Sequence, residues 1–213
     1  MKVSHINTNF KGIKIAKASI RTNKEALDFD VYKVTAKDSE FLEDFYKKTD
    51  LTNLYPNLKN EYHTLWKRIF KNSLQMYKNQ QILLLAKDNK PCGVLNYRNL
   101  GNSLWVENVC SVPTSNHGKL PWVGATLFTA LFRNFLNTQC QTIKLVALKD
   151  APFSNVSKYM RLGFSLAGGD YYNEKMVIDR KRVEKSLNKM INTIEYLETN
   201  NEQDINLYSK LQI

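Results

Sequence analysis

Val112 to Leu127 reads V-P-T-S-N-H-G-K-L-P-W-V-G-A-T-L. The ten residues that end on Val112, S-L-W-V-E-N-V-C-S-V, alternate like a β-strand, and the fifteen from Trp122, W-V-G-A-T-L-F-T-A-L-F-R-N-F-L, are apolar at helical spacing. A strand therefore hands over to a helix through a loop that holds Pro113, Gly118, Lys119 and Pro121, with Gly124-Ala125 at the helix start. Two breakers make a turn, and that is one reading. The other is that a chain builds this handover where a phosphate sits against exposed backbone N–H groups at a helix N-terminus.

Upstream of the loop, F-D-V-Y-K-V-T (29–35) alternates as a first strand, and K-D-S-E-F-L-E-D-F-Y-K-K (37–48) places Phe41, Leu42, Phe45 and Tyr46 on one helical face. A second helical run carries Leu58, Tyr62, Leu65, Trp66, Ile69, Phe70 and Leu74. Q-I-L-L-L-A-K (81–87), the turn D-N-K-P (88–91), C-G-V-L-N-Y-R (92–98) and the strand ending at Val112 then read as an antiparallel meander. Downstream, the helix from Trp122 is apolar nearly all round, which predicts a buried element. T-I-K-L-V-A-L (142–148) follows as a strand, so strand, helix and strand imply a parallel pairing. A short helix stopping at Gly163 and two strands split by G-G-D (168–170) complete the series. The whole is an α/β chain with a mixed sheet.

Met1 to Asp28 is polar and basic without clear period, and is expected to be an extension lacking order. Residues 29–179 form the expected principal domain. From Arg180 to 213 an amphipathic helical extension is expected, with Val183, Leu187, Met190, Ile191, Ile194 and Leu197 on its stripe. That stripe must bury on the domain, on a partner chain or on a membrane surface, and packing on its own domain is favoured.

Composition narrows the functional classes. With 31 basic against 20 acidic residues the net charge is +11, which favours anionic partners: nucleic acid, an anionic surface or a multiply phosphorylated ligand. Mean hydropathy is −0.44. No run approaches the roughly 20 apolar residues of a membrane span. Lysines at 11, 14 and 17 interrupt any secretory-type stretch, so a cytoplasmic location is expected. Cys92, Cys110 and Cys140 are widely spaced and form no CxxC pair or Cys/His cluster, so neither a disulfide framework nor a metal site is expected.

Three features coincide in order: a meander ending in V-E-N-V-C-S-V, a turn into V-G-A-T-L at a helix start, and Tyr159-Met160-Arg161-Leu162-Gly163-Phe164. Together these resemble the GNAT superfamily of acyl-coenzyme A-dependent N-acyltransferases, over about residues 29–178. The resemblance implies a mixed sheet of six to seven strands with about four helices, to which this chain adds its C-terminal helix. It also implies that acetyl-coenzyme A lies where the fourth and fifth strands splay, with its pyrophosphate on the following loop and helix tip. The Tyr-x-x-Leu-Gly-Phe ending is matched in full. The pyrophosphate pattern Gln/Arg-x-x-Gly-x-Gly/Ala aligns with Lys119 to Gly124, where Trp122 replaces the first glycine and Pro121 removes an N–H.

By that resemblance Lys119, Trp122, Val123, Gly124 and Ala125 would line the phosphates, backbone from Cys110 through Ser111 to Val112 would hold the pantetheine arm, and Asn155 would touch the same arm. Glu107 would be the general base, since an ammonium must lose a proton before it attacks a thioester. Tyr159 would protonate the leaving thiolate. Each has a plainer reading: Glu107 as a solvated strand residue paired with a lysine, Tyr159 packed on the sheet, Asn155 at a helix start. His63 is a further candidate base beside its reading as a packed side chain. Cys110 has no neighbouring His to activate it as a nucleophile. The implied activity is acetyl transfer to a primary amine of a small molecule or polypeptide. The alternatives are a non-catalytic module of this fold, whose Trp122 loop has lost catalysis, and a basic nucleic-acid or ribosome-associated binder.

Overall fold

The computed structural model describes residues 12–21, 26–49, 60–75, 79–112, 120–149 and 155–199. Nine strands form one sheet: β1 (Ile13–Arg21), β2 (Ala26–Val34), β3 (Gln80–Lys87), β4 (Lys90–Asn99), β5 (Ser103–Ser111), β6 (Thr142–Leu148), β7 (Ser165–Gly169), β8 (Asn173–Asp179) and β9 (Ile194–Glu198). Their order is β7-β8-β6-β5-β4-β3-β2-β1-β9. Five α-helices accompany them among the described residues: α1 (Ser39–Lys48), α2 (Asn60–Leu74), α3 (Val123–Leu136), α4 (Val156–Arg161) and α5 (Arg180–Met190).

The expected meander is present, with β3, β4 and β5 antiparallel. The expected crossover is present too: β5 and β6 pair in parallel, through Ser103↔Thr142, Leu104↔Ile143 and Trp105↔Lys144. The apolar periodicities set which helix covers which face. Phe41, Leu42 and Phe45 of α1 with Trp66, Phe70 and Leu74 of α2 bury against Tyr32, Ile82, Leu84, Val94 and Cys110. On the opposite face α3 inserts Leu127, Phe128, Leu131, Phe132 and Phe135, joined there by Val183 of α5. The nearly all-apolar α3 sequence is thus explained: helix α5 covers one side while the sheet takes the other.

Two expectations fail at the ends of the chain. Part of the presumed basic extension is strand β1, antiparallel to β2, and β2 itself starts at Ala26 rather than Phe29. Its inward residues are Ala16, Ala18 and Ile20, all fully buried, alternating with polar ones such as Lys17 and Ser19. Two alanines give a weak hydrophobic signal among lysines, so local sequence did not reveal the strand. The C-terminal helix ends at Met190, and Ile194–Glu198 is strand β9 on the far side of β1. There Ile194 and Tyr196 are buried with period two, while Ile191 and Leu197, placed on the helical stripe by sequence, are exposed. Pairing to a distant edge strand overrode a local helical pattern. The sheet accordingly has nine strands instead of six to seven.

Two contacts position α3. Arg180 donates to the carbonyls of Leu136, Thr138 and Cys140 at 3.0, 2.6 and 3.0 Å, and its guanidinium lies 4.9 Å over the Phe135 ring. A cation therefore satisfies carbonyls at the helix's C-terminal end, where it is favoured by the helix dipole. At the other end α3 lies so close to β4 that a Cβ on Gly93 would stand 2.4 Å from Val123 Cγ1 and 3.1 Å from Leu127 Cδ1. Gly93→Ala must push α3 off the sheet and is expected to cost about 1–3 kcal/mol, read as a lower urea midpoint at unchanged m-value.

Candidate functional site

Strand β6 pairs with β8 along its whole length, from Thr142↔Asp179 to Leu148↔Asn173. Its pairing with β5 stops at Trp105↔Lys144. Beyond that point the two strands part, and a gap opens in the sheet between Val106–Ser111 and Leu145–Leu148. On the other side of β5 the ladder to β4 continues to Gly93↔Ser111, and the Val112 N–H donates to Cys92 O at 2.8 Å. In an extended strand the backbone groups of successive residues face opposite edges. Val112 faces β4, so Ser111 and Val109 present their N–H and C=O to the gap. Within the stretch from Cys110 to Val112, Ser111 is the residue whose backbone is directed there. Val109, which sequence analysis passed over, is its partner.

The strand is not regular. Asn96 pairs with Asn108 and Tyr97 with Val106, which leaves Glu107 as the extra residue of a β-bulge. Strict alternation along the strand would group Glu107 with Val109 and Ser111, opposite Val106. The bulge overturns that grouping: Val106 and Val109 both pack on the α3 face, whereas Cys110 and Val112 pack on the α2 face. Asn108 also points that way, donating to Asn96 Oδ1, and Asn96 in turn donates to Asn72 O of α2. Glu107 joins Arg98 on this side. Arg98 Nε lies 2.5 Å from Glu107 Oε1 without the alignment of a hydrogen bond, so this buried oxygen has an ion-pair partner but accepts no hydrogen bond among the described residues. The plainer expectation for Glu107 was a lysine partner; the ion pair is instead with an arginine, Arg98, on the neighbouring strand.

The tip of α3 faces the gap from the opposite side. Trp122, the residue before the helix, has φ 67° and ψ −7°, a left-handed conformation that glycine adopts freely and other residues hold at a cost of about 1–3 kcal/mol. The backbone therefore takes the path that glycine would allow, with the indole 37% exposed. The Trp122 carbonyl accepts the first helical bond from Thr126 N at 2.8 Å. Among the described residues no side chain caps this end, and its first turn holds no acid. A Cβ on Gly124 would meet nothing within 4 Å. Uncapped N–H groups beside open space can accept an anion. Val123 is buried against Gly93, and Ala125 packs at the core's edge. Lys119 lies outside the described residues, as do His117 and Gly118.

Tyr159 stands on the α3 face. Its ring packs edge-on to Phe128 and Phe164, with centroids 5.6 and 6.0 Å away. Gly163 ends α4 at φ 97°, and its missing Cβ makes room for Ser186 Oγ, which donates to Leu162 O. The matched Leu-Gly-Phe residues thus pin α4 to α5 and the core. Burial pushes the Tyr159 phenol up to about 12, so it stays protonated across neutral and mildly alkaline pH. Its hydroxyl takes no hydrogen bond among the described residues. Asn155 precedes α4 without capping it, and accepts from Lys158 Nζ at 3.1 Å.

Glu107 and Tyr159 therefore occupy opposite faces of the sheet, with the gap between them. His63 is buried on the α2 side, and its Nδ1 has no partner among the described residues. Cys110 is fully buried, and desolvation raises its thiol far above the usual range. Cys92 is pushed up to about 12 for the same reason. Such thiols make poor nucleophiles.

No protein-family model and no curated protein matches the sequence. Solved structures do match the fold. The PaiA N-acetyltransferase of Thermoplasma acidophilum, solved in complex with coenzyme A, is 16% identical over 71% of this chain and 98% of its own, with a TM-score of 0.51. FdhC, described as a nucleotide-linked sugar GNAT, is 11% identical over 88% of this chain and 99% of its own, with a TM-score of 0.54. The aminoglycoside 6′-N-acetyltransferase of Enterococcus faecium is 11% identical over 70% and 96%, with a TM-score of 0.51. The chain has the GNAT fold.

All three cysteines are buried. Titration with a thiol reagent at pH 8 is expected to modify none in the native protein and all three after unfolding in guanidinium. Rapid labelling of Cys110 in the native state would reopen it as a nucleophile.

Proposed function

We propose that this GNAT-fold chain is an N-acetyltransferase that moves the acetyl group of acetyl-coenzyme A to a primary amine by direct attack. The observation that carries this reading is the opening between β5 and β6 past Trp105 and Lys144, bordered by outward-facing backbone and by the uncapped tip of α3. The donor groups present suit coenzyme A. Val109 and Ser111 can pair with the amide-bearing arm as an added strand would. The N–H groups of Val123, Gly124 and Ala125 can receive the diphosphate, with Lys119 adding charge. Neighbours of this fold with a coenzyme A complex and with amine acceptors support the same reading.

When bound, acetyl-coenzyme A supplies a thioester carbon that an uncharged amine can attack. The chain's contribution is placement and proton movement. Glu107, aimed to the α2 face by the bulge, takes the ammonium proton directly or through a water. Tyr159 donates toward the sulfur as the carbon–sulfur bond breaks. With its phenol near 12 the tyrosine is a weak acid beside a thiol, whose ordinary value is about 8.5. Its main contribution is a hydrogen bond that strengthens as negative charge gathers on sulfur. Asn155 lies one turn before it, toward the same arm.

A second reading, a ligand-binding module without catalysis, is favoured by one observation: an indole stands where the resemblance expects glycine. The experiment that separates the readings is calorimetric titration with acetyl-coenzyme A, followed by thiol release on a panel of amines. Binding with amine-dependent release supports the enzyme, and binding without release from any amine supports the module.

Tyr159→Phe is expected to lower kcat by about 10–100-fold with little change in the KM for acetyl-coenzyme A. Glu107→Gln should lower kcat similarly, and most at low pH, where more of the amine is an ammonium. Trp122→Gly removes side-chain bulk beside the phosphates and should tighten coenzyme A about 3–10-fold by calorimetry. Weakened binding would mean that the indole itself holds the ligand.

A further inference from the structure

The two faces of the gap are unlike. The α3 tip offers a diphosphate its N–H groups from one face, so an acceptor amine must approach the thioester from the other. On that face cross-strand register makes a row: Arg98 pairs with Trp105, Trp105 with Lys144, Lys144 with Val177, and Val177 with Ser165. Residues in register point to the same side. Ile143, Leu145, Ala147, Met176 and Ile178 all pack on the α3 side, so Lys144, Val146, Lys175 and Val177 face away from it. Lys144 and Lys175 are exposed, as is Val146 at 43%. Helices α1 and α2 cover the β2–β5 half and leave this part of the sheet open.

The charges here are one-sided. Val146 pairs with Lys175 and Val177 with Lys144, so the two lysines are diagonal neighbours, about 7–8 Å apart by sheet geometry. Neither has an acidic partner among the described residues. Glu107 is engaged by Arg98, and Asp179 caps α5 by accepting from Arg182 N. Glu174, in register with Ala147, belongs to the other face and pairs with Lys149. Two adjacent unpaired cations repel each other unless an anion lies between them. The half-buried Trp105 indole beside them, with Val146, forms a flat apolar seat.

We propose that the acceptor is a small amine whose own molecule carries a phosphate or carboxylate, held by Lys144 and Lys175 while its body rests on Trp105 and Val146. This rests on the acetyltransferase reading and adds the substrate class to it. The anion anchors the acceptor on the open face, leaving its amine to reach Glu107 at the root of the gap.

The test compares glucosamine, glucosamine 6-phosphate and glucosaminate as acceptors for the full chain with acetyl-coenzyme A, followed by thiol release. The phosphate or the carboxylate compound is expected to show a KM about tenfold below that of glucosamine, as two exposed ion pairs would give. Lys144→Gln/Lys175→Gln should erase that difference and leave the KM for acetyl-coenzyme A unchanged. Rising salt should erode it in the unaltered protein. Which anionic compound gains identifies the anion. Thiol release that is equal for all three, or best with glucosamine, overturns the inference but not the acetyltransferase. If acetyl-coenzyme A binds but neither anionic amine binds to the coenzyme A-saturated chain by calorimetry, the inference is again overturned. Failure to bind acetyl-coenzyme A at all overturns both.

Discussion

Three residue pairs hold β5 to β6, and everything functional in this chain depends on their being so few. A central pair of strands that separates after Trp105 and Lys144 leaves backbone N–H and C=O groups without sheet partners, a state that proteins rarely keep in their interior. Surrounding packing enforces the separation. β6 is held along its entire length by β8, β5 is held by β4 up to Ser111, and α3 is pressed onto β4 through Gly93. The bulge at Glu107 re-aims β5 just past the last paired residue, and sharper local twist is the usual effect of a bulge. With both strands secured on their outer sides, the opening is a fixed property of the sheet.

The same arrangement divides the chemistry between two faces. The aromatic cluster of Phe128, Phe132, Tyr159 and Phe164 lies with the α3 tip on one side, and its packing raises the Tyr159 phenol so that it stays protonated. On the other side, Glu107 pairs with Arg98 at the start of the cross-strand row that runs through Trp105 and Lys144, with Lys175 exposed nearby. In the proposed reaction Glu107 would accept a proton and Tyr159 donate one on opposite sides of one opening, so that a nucleophile enters from one face as the leaving group is stabilised on the other. The 31 basic side chains become informative only when residues are placed: some pair with acids, as in Lys14–Asp30 and Lys149–Glu174, while Lys144 and Lys175 have no acidic partner among the described residues.

Much of this was legible before any coordinates. Local periodicity is sufficient for the meander, the helices α1 and α2 and the buried α3, because those elements are decided by their own apolar faces. The Tyr159–Phe164 motif marked the α4 ending correctly, since Gly163 has a local backbone reason to be there. What escaped depended on distant partners. Strand β1 carries only Ala16, Ala18 and Ile20 inward, and β9 follows a helix whose stripe runs on in phase, so both are defined by their mutual pairing. The bulge escaped because an extra residue leaves no mark in the sequence of its own strand, and with it went the true face of Glu107, its tie to Arg98 and the role of Val109. Trp122 was visible as an anomaly, but its left-handed backbone was not, since residue type alone argues against it.

Hydrogen exchange at the Val109 amide tests the central claim most directly. This N–H faces an opening in the sheet and should exchange faster than those of Cys110 and Val112, which face β4. Saturation with acetyl-coenzyme A should slow it at least tenfold, with little change at Cys110. A Val109 amide that is already protected without ligand, or unaffected by it, would mean that the strands are closed there and that the account is wrong.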